Sequence, residues 1–180
     1  MVTNEMKTDR IKNTEDAAFA AVWEIYEYSF PRHEKRTLER QAEILKDERY
    51  HLEYYTDGGK LVGFIGYWEI DDYLYIEHYA MAREARGGGY GTAILKDFLE
   101  KAEGRTVILE IDLPEDDVSR RRLRFYRNLG FEENPYRHVC PVYQEEAPEA
   151  VLEILSWPER VDQAFYDRFD ADLHKIVMGE

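Results

Sequence analysis

The chain has 180 residues, a length for which one domain over residues 1–180 with one sizeable core is the simplest expectation. Hydrophobic residues at 44% and aromatics at 14% exclude a disordered chain. The formal charge of −14, from 24 Lys and Arg against 38 Asp and Glu, argues against a nucleic-acid partner and against docking on anionic lipid, and favours cationic substrates, amines among them.

In chain order, residues 1–8 are polar and expected to be loose, and Arg10-Ile11-Lys12 suits a short strand. Thr14-Glu15-Asp16 reads as a helix start, with Ala18, Val22, Ile25 and Tyr26 at helical spacing up to Phe30-Pro31. Thr37 opens a second helix carrying Leu38, Gln41, Ile44 and Leu45 on one face. Tyr50 to Tyr55 alternates and stops at Asp57-Gly58-Gly59, a strong hairpin signal. Leu61 to Trp68 and Tyr73 to Met81 complete an antiparallel meander. A glycine-rich loop follows, then a helix marked by Ala93, Ile94, Phe98 and Leu99 that ends near Gly104.

Thr106 to Ile111 is a β-branched, buried strand; the intervening helix makes it parallel to the strand before. Val118 to Leu129 is a helix closed by Gly130. Between Pro135 and Pro148 the pattern weakens. Val151 to Leu155 suits a last strand, and Asp162 to Val177 a C-terminal helix. The expected class is α+β or α/β, antiparallel strands first and a β-α-β-α unit in the middle. The lone cysteine, Cys140, excludes an internal disulfide and a Cys-rich metal site. No apolar stretch approaches the ~20 residues of a membrane span. Residues 1–7 lack the apolar core of a signal peptide, so the expected compartment is the cytoplasm.

The most informative run is Arg86-Gly87-Gly88-Gly89-Tyr90-Gly91-Thr92, between a strand and a helix. Free backbone N–H groups at a helix N-terminus, with an arginine beside them, suit a phosphorylated ligand. A P-loop needs a lysine that is missing here. A dinucleotide fold needs a third glycine where Thr92 or Ile94 stands. A tight turn alone does not need three consecutive glycines, each with its entropic cost.

As Arg-x-x-Gly-x-Gly, Arg86 to Gly91 resembles the acetyl-CoA signature of the GNAT N-acetyltransferase superfamily. Phe125-Tyr126 and Leu129-Gly130-Phe131 resemble its second signature, one helix and one strand downstream. The specific part of the resemblance spans residues 60–134.

That resemblance implies a central mixed sheet flanked by helices. It implies a transfer of acetyl from acetyl-CoA directly to a primary amine, with no metal and no protein nucleophile. The amides of Gly87, Gly88, Gly89, Tyr90, Gly91 and Thr92 would hold the pyrophosphate, with Arg86 adding charge. The backbone of Tyr79, Ala80 and Met81 would pair with the pantetheine arm and polarise the thioester carbonyl. Tyr126 would be the acid that protonates the leaving thiolate, a core aromatic being its plain alternative.

Glu77 is the candidate base, against a sheet carboxylate paired with arginine; strand alternation puts it on the face of Tyr73, Tyr75 and Tyr79 and puts His78 on the other. Glu110 is the second candidate. Asn128 is carried over as a cofactor contact. Arg120, Arg121, Arg122 and Arg124 suit a solvated face better than a cofactor phosphate. The partners implied are acetyl-CoA and an amine acceptor, with a homodimer left open. A non-catalytic acyl-CoA-binding or sensing module on the same fold is the rival.

Overall fold

A computed structural model describes residues 1–144 and 148–180; the middle of the weakly patterned stretch, 145–147, lies outside the described residues. The elements are β1 (Lys7–Ile11), α1 (Phe19–Ser29), α2 (Leu38–Ile44), β2 (Tyr50–Asp57), β3 (Lys60–Ile70), β4 (Tyr73–Met81), α3 (Tyr90–Lys101), β5 (Thr106–Asp112), α4 (Asp117–Asn128), β6 (Glu132–Cys140), β7 (Ala150–Trp157) and α5 (Gln163–Asp172). A single π turn, Leu173–Met178, prolongs α5.

One seven-stranded sheet, ordered β1-β2-β3-β4-β5-β7-β6, runs through the molecule. Every neighbouring pair is antiparallel except β4 and β5, which are joined through α3 as a crossover requires. α1 and α2 cover one face, with Tyr26 against Phe64 and Gln41 donating to the Tyr50 hydroxyl. α5 covers the same face further along, with Phe169 against Tyr75. α3 lies on the other, where Phe98 meets the edge of Tyr67. Phe64, Ile65, Trp68, Tyr73, Ile108 and Ile154 are fully enclosed between the layers, each such burial contributing about 1.5–3 kcal/mol.

Local signals set most boundaries. Thr37 caps α2 by accepting from the Arg40 amide. Asp116 and Ser119 form a reciprocal capping box at the start of α4. Three expectations shift. The first helix begins only at Phe19, because Asp16 turns the chain once before it, its carboxylate taking the Ala18 amide and its carbonyl the Phe19 amide. β1 starts at Lys7, inside the stretch expected to be loose. β6 runs through Pro135 to Cys140; it is an edge strand, whose pairing with β7 slips between Asn134 and His138, so the proline costs no ladder bond.

Two irregularities in β4 position the site. Gly66 pairs with His78 and Tyr67 with Ile76, so Glu77 is an extra, bulged residue. Parallel pairing with β5 extends only from Tyr73↔Thr106 to Ile76↔Leu109 and stops at that bulge. Beyond it, among the described residues, β4 pairs with β3 alone. Gly63 permits the close approach there, since a Cβ on it would lie 2.7 Å from the Ala80 carbonyl oxygen.

Candidate active site

Where β4 and β5 separate, a cavity of about 490 Å³ opens between them. Its walls come from the end of α1 and the following turn, from Glu77 to Met81 of β4, from Leu109 to Asp112 of β5, from Arg122 and Tyr126 of α4, and from Cys140 and Tyr143. Tyr79, Ala80 and Met81 pair with Ile65, Phe64 and Gly63 on one side; the backbone edge facing β5 has no strand partner among the described residues.

Arg86 joins the cavity wall to the glycine loop. Its Nε lies 3.4 Å from the Met81 carbonyl oxygen, and its guanidinium sits 5.7 Å from the centre of the Tyr28 ring. Gly89 caps α3 in the left-handed region, φ 82°, and among the described residues no side chain caps the helix. The first amides of α3 are therefore left for a ligand. The loop is fixed from outside. The Tyr90 hydroxyl donates to Asp57 at 2.8 Å, and that of Tyr79 donates to the Gly91 carbonyl. Thr92 continues into α3, and Asn128 is exposed at the end of α4, outside the cavity wall.

The bulge corrects the expected facing of β4. Tyr73 and Tyr75 pack on α5. Glu77 and His78 both turn to that same helical layer, where His78 meets Tyr26 and Phe30. Tyr79 turns the other way, to α3. One extra residue resets the alternation, so His78 shares the Glu77 face and Tyr79 does not.

The Glu77 side chain is fully buried in an ion pair with Arg36, itself enclosed. Arg36 donates through both terminal nitrogens, Trp68 Nε1 donates at 2.9 Å, and the Tyr143 hydroxyl donates at 2.6 Å. Burial pushes this carboxyl up, but the Arg36 charge, with His78 and Tyr143, brings it below the ordinary carboxylate value. A carboxylate so occupied has little capacity to take up a proton. Arg36 and Tyr143 carry no sequence signal for this role; 41 and 66 residues separate them from Glu77.

Glu110 is held differently. Tyr75 donates to Oε1, His138 Nε2 lies 2.8 Å from Oε2, and 7% of the side chain stays exposed in the cavity wall. Burial raises its carboxyl, yet His138 and Tyr75 bring it net below the usual value. Glu34, from the turn after α1, is pushed up by burial and by the charge of Asp112. Tyr126 is buried, its rings packed on Phe125 and Phe131, and burial raises its hydroxyl to about 12. Among the described residues that hydroxyl forms no hydrogen bond. Burial drives the Cys140 thiol far above its ordinary value, which leaves no thiolate for nucleophilic work. Among the described residues no His, Cys, Asp and Glu cluster could hold a metal, and no helix is long and apolar enough to cross a membrane.

Residues 15–131 match the sequence model of the Acetyltransferase (GNAT) family. A Bacteroides thetaiotaomicron structure described as an acetyltransferase from the GNAT family superposes with a TM-score of 0.89 at 28% identity, covering 97% of this chain and 99% of that one. A GNAT family acetyltransferase from Elizabethkingia anophelis, solved with acetyl-CoA bound, shares the fold at a TM-score of 0.57 and 14% identity, over 86% of this chain and 98% of that one. The Bacillus subtilis (strain 168) protein YjbC, described as an acetyltransferase, is 29% identical over 104 residues, or 57% of this chain and 52% of that protein. The chain thus spans about half the length of this curated relative.

Proposed function

The chain belongs to the GNAT acetyltransferase family, and from that premise we propose that it transfers the acetyl group of acetyl-CoA directly to a primary amine. The observation carrying this is one cavity that joins three parts: the unpaired backbone edge of Tyr79 to Met81, the arginine of the glycine loop, and an unbonded Tyr126 hydroxyl. The loop residues fit the pyrophosphate, because α3 begins without a side-chain cap and a Cβ on Gly87 would meet nothing within 4 Å.

The acceptor nitrogen attacks the thioester carbonyl, whose oxygen takes its hydrogen bond from the β4 amide edge. One N–H proton passes to a carboxylate, the C–S bond breaks, and the departing thiolate takes the Tyr126 proton. We assign the base to Glu110 and an ion-pairing role to Glu77, since Glu110 alone of the two keeps part of its side chain exposed in the wall. Glu34 adds a carboxyl to the same wall, where Asp112 is paired with Arg122 at 2.9 Å. The two carboxyls there without an Arg or Lys partner among the described residues, Glu34 and Glu110, favour a cationic acceptor.

A thiol-release screen with acetyl-CoA over polyamines, aminoglycosides, amino acids and peptides tests the reaction. Turnover with an amine supports transfer. Tight acetyl-CoA binding without turnover supports the sensing module, and no binding removes both. Gly89→Val tests the loop separately. Its φ of 82° strains any L-residue by roughly 1–2 kcal/mol, and relief of that strain shifts the loop amides. Calorimetry is expected to show acetyl-CoA affinity falling at least about tenfold; unchanged affinity would place the pyrophosphate elsewhere.

A further inference from the structure

We propose that His138 is a positioning residue for this transfer, fixing the orientation of the Glu110 carboxylate toward the cavity while its own ring is set from the C-terminal helix. The proposal rests on Glu110 as the base. His138 is wholly buried, and it lies on β6, beyond the residues that match the family. Its Nε2 is 2.8 Å from Glu110 Oε2. A carboxylate only accepts, so Nε2 carries the hydrogen. The other ring nitrogen, Nδ1, lies 3.0 Å from the Tyr166 hydroxyl and 3.7 Å from an Asp170 oxygen, both on α5. The neutral ring accepts at Nδ1 from Tyr166. A protonated ring donates there, toward Tyr166 and Asp170, and keeps its bond to Glu110 in either state.

Tyr75 holds the other carboxylate oxygen from β4. With both oxygens engaged from behind, the remaining lone pairs are directed by the protein and not by solvent. The other groups facing Glu110 are His78 of β4, Glu34 after α1, Cys140 at the end of β6 and Tyr143 beyond it. Of these, Cys140 gives its thiol hydrogen to the Pro141 carbonyl, at 3.4 Å. In the reaction the acceptor N–H bond breaks and a Glu110 O–H bond forms. His138 keeps Nε2–H throughout, and once product has gone the Glu110 proton leaves through the cavity while the Tyr126 phenolate takes one up, which restores both groups.

The sign of the pH effect follows. His138 helps to hold the Glu110 carboxyl below its ordinary value, so removing the donor raises that value and moves the acid limb of kcat/KM to higher pH.

The test uses the full chain, acetyl-CoA and whichever amine of the screen turns over fastest. Glu110→Gln is expected to lower kcat by about 10²–10⁴-fold. His138→Leu should lower kcat by about tenfold, move the acid limb upward and leave KM for acetyl-CoA within about twofold, an outer-shell effect of the usual size. His138→Gln, which restores an N–H donor, should recover most of the rate.

A milder variant covers the case in which His138→Leu does not fold. In histidine nitrogen NMR, Tyr166→Phe should shift the His138 Nδ1 resonance, and Glu110→Gln, which exchanges a charged acceptor for a neutral one, should shift that of Nε2. If His138→Leu lowers only the melting temperature, with kcat and the acid limb of the wild type, His138 merely packs and the proposal fails. Unmoved His138 resonances in both milder variants also overturn it. No turnover with any amine, or normal turnover in Glu110→Gln, removes the base assignment itself and the positioning role with it.

Discussion

Arg36→Ala is expected to destabilise the fold by about 3–5 kcal/mol, the usual cost of leaving one member of a buried ion pair alone. Total stabilities run to only about 5–15 kcal/mol, so this one side chain carries a large share. The Glu77 carboxylate would be left buried with neutral donors only, Trp68 and Tyr143. It would then have to take a proton or admit water. Urea unfolding should show the loss directly, and the melting temperature should fall by roughly 10 °C for a chain of this size. Because the partners touch, Arg36→Met with Glu77→Gln should cost much less than the two single changes summed. A loss below about 1 kcal/mol in Arg36→Ala would mean that Glu77 does not depend on the pair, and would return it to contention as the base.

Tyr126→Phe is expected to lower kcat by about 100-fold, the low end for general acid catalysis. The low end is appropriate because a thiolate leaves readily even without a proton. KM for acetyl-CoA should not move. Stability should hardly change either, since the hydroxyl that is removed has no hydrogen bond among the described residues, while the ring keeps its packing on Phe125 and Phe131 at 5.1 and 5.4 Å. Loss of rate without loss of stability is what separates an acid from a core aromatic. Turnover within about twofold of wild type would leave Tyr126 with packing alone.

What could be read in the sequence was short-range. The glycine loop, the hairpin at Gly58-Gly59, the caps at Thr37 and Gly130 and the Phe125-Tyr126 pair each speak through neighbouring residues, and each falls where expected. What could not be read was long-range. β7 slots between β5 and β6, so its neighbours in the sheet are not those its place in the chain suggests. Arg36 meets Glu77, and His138 meets Glu110, only once the sheet has formed. The facing of His78 and Tyr79 failed for a different reason. Alternation is a sound rule for a regular strand, and β4 is not regular at Glu77.

That extra residue also decides which genetic changes the opening can survive. Inserting or deleting one residue in a regular strand exchanges its two faces from that point onward. At Glu77 the exchange has already been made: Ile76 and His78 sit opposite consecutive residues of β3, as if nothing stood between them. Loss of this single codon would leave every later side chain of β4 on its present face, yet would straighten the strand and let it zip up against β5. A codon gained further along would have the opposite effect, keeping the gap while turning Tyr79 away from α3. The space between the two strands is thus held by a count of residues.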